Sequence, residues 1–300
     1  MFVLPTFGLG VIASPLSVFD PDLTFPTIQV FDTEAEFIGQ TDAPNYTIVH
    51  AKDTDKLYVW DGSNWYFYNN YVFNTYSVDL DGTNDYIDLG TSSSLNPSSA
   101  LTISAWIYIN GAGTGSLPTI YSSSKNSAGI SGGIAIAYTS NKIRFYLDTT
   151  GSSGWVFAES NSTFSTGQWY HLAGTWNGST VTLYVNGTAQ TTTGSATTIG
   201  YNTDFPATIG RYSSNYFNGL IDEVSLFDSA LNQTQINTLR GGVSAGTLGS
   251  PDDIDSLNPL GWWRMGDNDG GTGTTITDQG SEGNNGTLIN GPTFSPTVPS

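Results

Sequence analysis

Cysteine is absent from the 300 residues, which removes a disulfide framework, thiolate metal sites and cysteine nucleophiles together. Stability must come from packing, from calcium or from assembly. Histidine is nearly as rare, so His50 and His171 are the whole supply of imidazole for base catalysis. Cations are scarce too: 8 Lys and Arg stand against 26 Asp and Glu, a formal net charge of -18. A surface of that sign repels phosphate backbones and anionic headgroups, so nucleic acid and membranes are poor partners and divalent cations suit it better. No apolar run approaches the ~18 residues of a membrane-crossing helix.

What the chain does have begins with an apolar run, MFVLPTFGLGVIASPL. Its first lysine is Lys52, and Pro5, Gly8 and Gly10 interrupt it, so it does not have the form of an export signal. Residues 1–26 are expected to form an extended anchoring arm, because Phe2, Leu4, Phe7, Leu9, Val11 and Ile12 need a protein surface to cover them. Residues 27–70 are expected to form a small β-hairpin module. FDTEAEF suggests one helical turn capped by Asp32, and YTIVHA, KLYVW and WYFY suggest three short strands, the last two joined at Asp61-Gly62. Three such strands bury too little to stand alone, so the module must pack on a neighbouring domain or on copies of itself.

Residues 71–300 show the pattern of an all-β domain. In LTISAWIYI, Leu101, Ile103, Ala105, Ile107 and Ile109 share one face, while Thr102, Ser104, Trp106 and Tyr108 share the other, predicting a half-buried strand. IAIAY, KIRFYL, WYHLAGTW, TVTLYV and GLIDEVSLF repeat the theme between Gly, Asn and Ser clusters, the rhythm of an antiparallel β-sandwich. Asn177-Gly178 and Asn186-Gly187 mark hairpin turns. NQTQINTLR predicts one short helix, capped by Asn232 and stopped by Gly241-Gly242. Sequons at Asn45, Asn161, Asn177, Asn186, Asn232 and Asn285 are sufficiently explained by turn chemistry.

LDGTNDYIDLG, ALTISAWIYI, GQWYHLAGTWNGSTVTLYVNG and FNGLIDEVSLFDSALNQTQI, in that order, resemble the laminin G-like, concanavalin A-like jelly roll. The resemblance implies two curved antiparallel sheets and a module that binds sugars or proteins. In that family a strand with a tryptophan, an acidic Gly-rich loop and an NGTL-NGPTF ending precedes the LDGTNDY motif. Here the corresponding residues, 262–294, follow the helix, which implies that they supply a permuted first strand. About 40 residues make no core of their own. They are expected to complete the sheet of their own chain, the alternative being a neighbouring copy.

The run DTDKLYVWDG followed by WY is also similar to small β modules of bacteriophage tail-fibre and capsid-surface proteins. Together the two resemblances imply a non-enzymatic virion surface protein. It would sit at the virion surface, held to other virion proteins by its arm, assembled as a homo-oligomer with a trimer favoured, and reading cell-surface glycans. The alternative is a bacterial carbohydrate-binding module or adhesin at the cell surface or outside the cell.

Catalysis finds little support on this fold. No strand carries the Glu-x-Asp-x-Glu spacing of its glycosidases, and the neighbours Asp222 and Glu223 should point to opposite faces. GISGG leads into a strand where a nucleophile elbow leads into a helix. GDNDGG lacks EF-hand spacing and reads as a solvated loop. Calcium is the cofactor that the resemblance implies, through Asp81 and Asp222 with Asn84 or Asp85 beside them. For a saccharide, the loops holding Trp155, Tyr201, Tyr212, Asn215 and Tyr216 offer aromatics of the kind that stack on sugar rings.

Overall fold

The computed structural model describes residues 28–31, 48–51, 56–60, 65–68, 74–123, 132–149, 154–201, 204–241 and 254–299. The chain divides into two compact units, Met1–Val72 and Phe73–Ser300.

The first unit holds a four-stranded sheet, one strand more than the pattern suggested. Ile28–Phe31 runs parallel to Ile48–Ala51, and Lys56–Trp60 and Trp65–Tyr68 follow antiparallel. IQVF is short and escapes notice by itself. Its parallel pairing needs a connection of a dozen or more residues, which 32–47 supply. Phe31 ends this strand and so does not begin a helical turn. Val49 and Tyr58 face each other across the sheet and are both buried. The arm, the rest of FDTEAEF and the Asp61-Gly62 turn lie outside the described residues.

The second unit is an all-β sandwich of two antiparallel sheets. One sheet is ordered Thr188–Ala189, Thr180–Val185, Trp169–Trp176, Leu101–Ile109, Asn218–Phe227, Ser77–Asp81, Thr293–Ser295. The other runs Trp155–Glu159, Lys142–Asp148, Ile134–Thr139, Thr119–Ser123, Thr208–Ile209, Tyr86–Asp88, Gly286–Ile289, Thr275–Ile276. The core between them takes Ile103, Ile107, Leu172, Leu183 and Ile221 from the first and Ile136, Phe145, Leu147 and Ile87 from the second. Packing is close where the sheets meet: a Cβ on Gly174 would lie 2.4 Å from the Phe145 ring. At the second Asn-Gly turn, Asn186 and Gly187 have φ of 48° and 75°, as a type I′ hairpin requires.

The Leu101–Ile109 strand is buried on both faces, not half-buried. The reason is the segment after Phe227. Thr102 Oγ1 donates to Ser229 O at 2.7 Å and accepts from Leu231 N at 2.9 Å. The helix that follows, Gln233–Leu239, opens with a reciprocal capping box between Asn232 and Gln235. Trp106, Trp169 and Leu220 form a second small apolar cluster on this face.

Residues after the helix contribute to both sheets, more than the single strand the motif order implied. Gly261–Trp263 pairs with Asn218–Phe227, and Thr293–Ser295 pairs with Ser77–Asp81. Gly286–Ile289 pairs with Tyr86–Asp88 in the opposite sheet. Trp263 is fully buried in the main core, its Nε1 donating to Asn284 O.

Candidate functional site

The edge strand Trp155–Glu159 alternates strictly. Val156 and Ala158 turn to the core, while Trp155, Phe157 and Glu159 stand on the outer face. The next strand does the same, with Ile143, Phe145 and Leu147 inward and Lys142, Arg144 and Tyr146 outward. Their register sets Tyr146 opposite Phe157 and Arg144 opposite Glu159. On the other side of Tyr146 and Arg144 lie only Ala135 and Ala137. Small neighbours leave the rings standing proud of the sheet.

The hairpin of Arg211–Tyr212 and Asn215–Tyr216 brings a further ring. Its turn puts Ser213 in the left-handed region, φ 60°. The result is a continuous aromatic row: Tyr212 to Trp155 with centroids 6.4 Å apart, Trp155 to Tyr146 5.7 Å, and Tyr146 to Phe157 5.5 Å. Phe157 is the large hydrophobic side chain that stands exposed among the described residues, at 36%. A charged rim borders the row. The Arg144 guanidinium lies 4.7 Å over Phe157, and both Arg144 and Lys142 donate to Glu159, at 2.6 and 2.8 Å. Hydrogen bonds from Lys142 and Arg144 hold the Glu159 carboxyl below the usual range.

The predicted ligand residues divide. Trp155 and Tyr212 are brought together, and Trp155 opens a strand where a loop was expected. Asn215 is structural: its Oδ1 accepts from Leu117 N and its Nδ2 donates to Tyr212 O, which fixes the hairpin under the Tyr212 ring. Tyr216 is half-buried, its backbone paired to Thr114. Tyr201 does not belong to the row. Its hydroxyl donates to Pro97 O at 2.8 Å, and burial raises its phenol well above the ordinary value. Tyr146, Phe157 and Arg144 were missed, though the spacing of KIRFYL and WVFAE, with large side chains two apart, already placed them on one face.

The residues expected to share a calcium ion are not brought together. Asp81 pairs with Asn218, and Asp222 lies four positions farther along that strand, about 13 Å away at strand spacing. Asp81 instead caps its own turn, accepting from Thr83 N at 2.7 Å. Asp85 accepts from Asp81 N, and Asn84 O accepts from Asn290 Nδ2. Asp222 is fully buried, with Asn74 Nδ2 and Glu223 N as donors. Asp81, Asn84, Asp85 and Asp222 therefore do not fit one coordination sphere. No cluster of three or more metal-binding side chains of the His, Asp and Glu type occurs among the described residues.

Asp222 and Glu223 do not point to opposite faces either. The ladder shifts register between Asp222 and Ser225, and Glu223 takes a left-handed φ of 47°. That bulge turns both carboxylates into one buried network. Glu223 accepts from Trp262 Nε1 at 2.6 Å and from Arg264 Nε at 3.2 Å. Arg264 Nη2 reaches Asp267 at 2.9 Å, and Asp267 also accepts from Thr75 N, Thr75 Oγ1 and Tyr76 N. GDNDGG is thus no solvated loop, since its Asp267 is a buried clasp. Burial and the neighbouring carboxylates raise Asp222 well above its ordinary value, and burial lifts Asp267 to about 7. His171 is equally enclosed. Its Nε2 meets Ser104 Oγ at 2.8 Å, and burial depresses it to about 3, so the imidazole is neutral at physiological pH.

Comparison with known proteins agrees with this architecture. The solved structures include a proposed carbohydrate-binding protein from Bacteroides ovatus, 18% identical, with a TM-score of 0.54 over 84% of this chain and 70% of that one. Domain 4 of an extracellular arabinanase from Geobacillus stearothermophilus, in complex with arabinotriose, is 20% identical over 66% of this chain and 82% of its own, with a TM-score of 0.41. The CBM40 domain of a Ruminococcus gnavus sialidase, bound to sialyllactose, is 12% identical over 53% and 94%, with a TM-score of 0.45. No curated protein matches the chain. The laminin G-type model described as the concanavalin A-like lectin/glucanases superfamily matches residues 81–237, more than half of the sequence, and the chain belongs to that superfamily.

Proposed function

We propose that the chain is a non-enzymatic saccharide-binding protein whose lectin-like jelly roll is displayed on a bacteriophage virion surface. The observation that carries the binding half is the row formed by Trp155, Tyr146 and Phe157 on one sheet face and Tyr212 from the adjoining hairpin. Aromatic faces present a large, rigid, apolar area to the C–H faces of sugar rings, and the polar rim supplies orienting hydrogen bonds.

The absence of catalysis in this reading rests on where the acids are. Asp222, Glu223 and Asp267 are committed to the buried network. On the aromatic face, Glu159 is held ionised by two cations and makes a poor general acid. Asp148 lies four positions along the strand from Arg144, the cross-strand partner of Glu159, so about 13 Å separates the two acids. A glycosidase pair needs roughly 5 to 9.5 Å.

The virion setting rests on the resemblance carried by DTDKLYVWDG, which falls within the first of the two compact units, and on the apolar sequence before it. Glycan-array binding that Trp155→Ala abolishes, together with co-sedimentation of the protein with phage particles, is the expected result. No binding to any glycan sinks the lectin half. Recovery from bacterial cell envelopes and never from particles sinks the virion half and favours an adhesin.

A further inference from the structure

Four outer-face positions on two neighbouring strands form a square, with Arg144 and Tyr146 on one strand and Glu159 and Phe157 opposite them on the other. Arg144 touches the other three. Its Nε donates to Glu159 Oε2 at 2.6 Å, its Nη1 donates to Tyr146 Oη at 3.2 Å, and its guanidinium lies 4.7 Å from the centroid of the Phe157 ring. Lys142 donates to the other oxygen of Glu159 at 2.8 Å, so the carboxylate that anchors Arg144 is itself held.

These contacts do little for the fold. The Arg144 and Glu159 side chains are 31% and 17% exposed, and an ion pair so open to water adds little stability. They matter more for the rings. On its other flank Tyr146 meets only Ala135, too small to brace a phenol. Its ring neighbours, Trp155 and Phe157, are themselves partly exposed. Rings so placed keep rotamer freedom, and a ligand that must still them loses affinity in doing so. A planar guanidinium holds a hydroxyl, a carboxylate and a ring face at once, which an ammonium on a flexible stem does not.

The arrangement also sets how Tyr146 meets a ligand. Its oxygen accepts from Arg144, and its own proton has no acceptor among the described residues. The hydroxyl is therefore left to donate to water or to a ligand oxygen.

Resting on the saccharide reading above, we propose that Arg144 is the positioning residue of the aromatic face. Anchored by Glu159, it fixes the Phe157 ring and presents the Tyr146 hydroxyl as a donor to a sugar oxygen. Two measurements on the full chain test this. 4-Fluorophenylalanine at position 157 gives a single fluorine resonance that reports the setting of that ring. Arg144→Met, which keeps the apolar stem, should move the resonance toward that of the free amino acid while the melting temperature holds, and Glu159→Gln should move it the same way. For a glycan that binds on an array and is lost with Trp155→Ala, Arg144→Met should weaken affinity about tenfold, equivalent to ~1.4 kcal/mol. Arg144→Lys should recover little of that loss. A resonance indifferent to Arg144→Met overturns the positioning role whether or not a glycan binds. Full recovery of affinity with Arg144→Lys overturns it as well, because charge alone would then suffice. If the unaltered chain binds no glycan, the lectin reading falls, and the resonance still decides whether Arg144 fixes the ring.

Discussion

Trp262 Nε1 and Glu223 Oε2 meet at 2.6 Å in the protein interior, and the contact joins a strand near the C-terminus to the bulge of a central strand. Both groups are nearly or wholly out of water, so each depends on the other. Arg264 and Asp267 extend the contact to the backbone of Thr75 and Tyr76. The segment that follows the helix is thus clasped by charge to the residues leading into the first strand of the jelly roll, and by sheet pairing to that strand itself.

Removing one partner of this clasp should cost more than removing a surface ion pair. Glu223→Ala leaves Arg264 and the Trp262 indole short of an acceptor, and a loss of about 3 to 5 kcal/mol is expected from a broken buried pair. Chain truncated after Gly242 should aggregate, and a peptide of residues 254–299 added in trans should restore solubility. Urea denaturation and sedimentation measure both. A truncated chain as stable and monomeric as the whole one contradicts the clasp.

Asp222, Glu223 and Asp267 are buried close enough to raise one another, while Arg264 pairs with Glu223 and Asp267, and this sets a pH dependence of unusual sign. A carboxyl whose folded value is raised binds its proton more tightly folded than unfolded, so its contribution is present at low pH and fades as pH rises through the folded value. With Asp267 at about 7 and Asp222 also raised, the melting temperature should climb as pH falls from about 8 to 6.5. His171 acts oppositely. Depressed to about 3, it contributes stability above its unfolded value that fades as pH falls, so the climb should flatten below about 6.5. Asp222→Asn should reduce the climb. A melting temperature that falls from pH 8 to 6.5 would refute this assignment.

Gly174 marks where the Phe145 ring crosses from the opposite sheet. Gly174→Val should cost about 1 to 3 kcal/mol by overpacking. Phe145→Leu in the same chain should return part of the loss, which a double-mutant cycle in urea would show as coupling.

Phe157 is exposed, so Phe157→Ser should leave the melting temperature almost unchanged. Glycan affinity, read by calorimetry, should fall about tenfold, equivalent to ~1.4 kcal/mol. Unaltered affinity would take Phe157 out of the binding face.

Where residue alternation is regular, the sequence already showed the structure. LTISAWIYI, KIRFYL and the two Asn-Gly turns give the strands and hairpins of the sandwich, whereas Trp155 and Tyr212, both expected on loops, meet with Trp155 in an edge strand. What escaped depends on contacts between distant segments. Nothing in GLIDEVSLF announces a bulge at Glu223, because its left-handed backbone is held by Trp262 and Arg264, about 40 positions away. Tyr201 looked like a surface ring, but a backbone carbonyl at Pro97 draws its hydroxyl inward. Asp81 and Asp222 were linked by analogy, and only the strand register shows them four positions apart.

The pairing of Thr293–Ser295 with Ser77–Asp81 has a consequence in time. The Ser77–Asp81 edge is among the first parts of the jelly roll to be synthesised, yet its partner comes more than 200 residues later. Contacts of such separation close slowly, and an open edge pairs with whatever strand is near. During synthesis each nascent jelly roll therefore carries an unfinished edge that a sister chain can fill. Neighbouring copies made at high density, as in a structural assembly, can exchange this strand before either has closed its own.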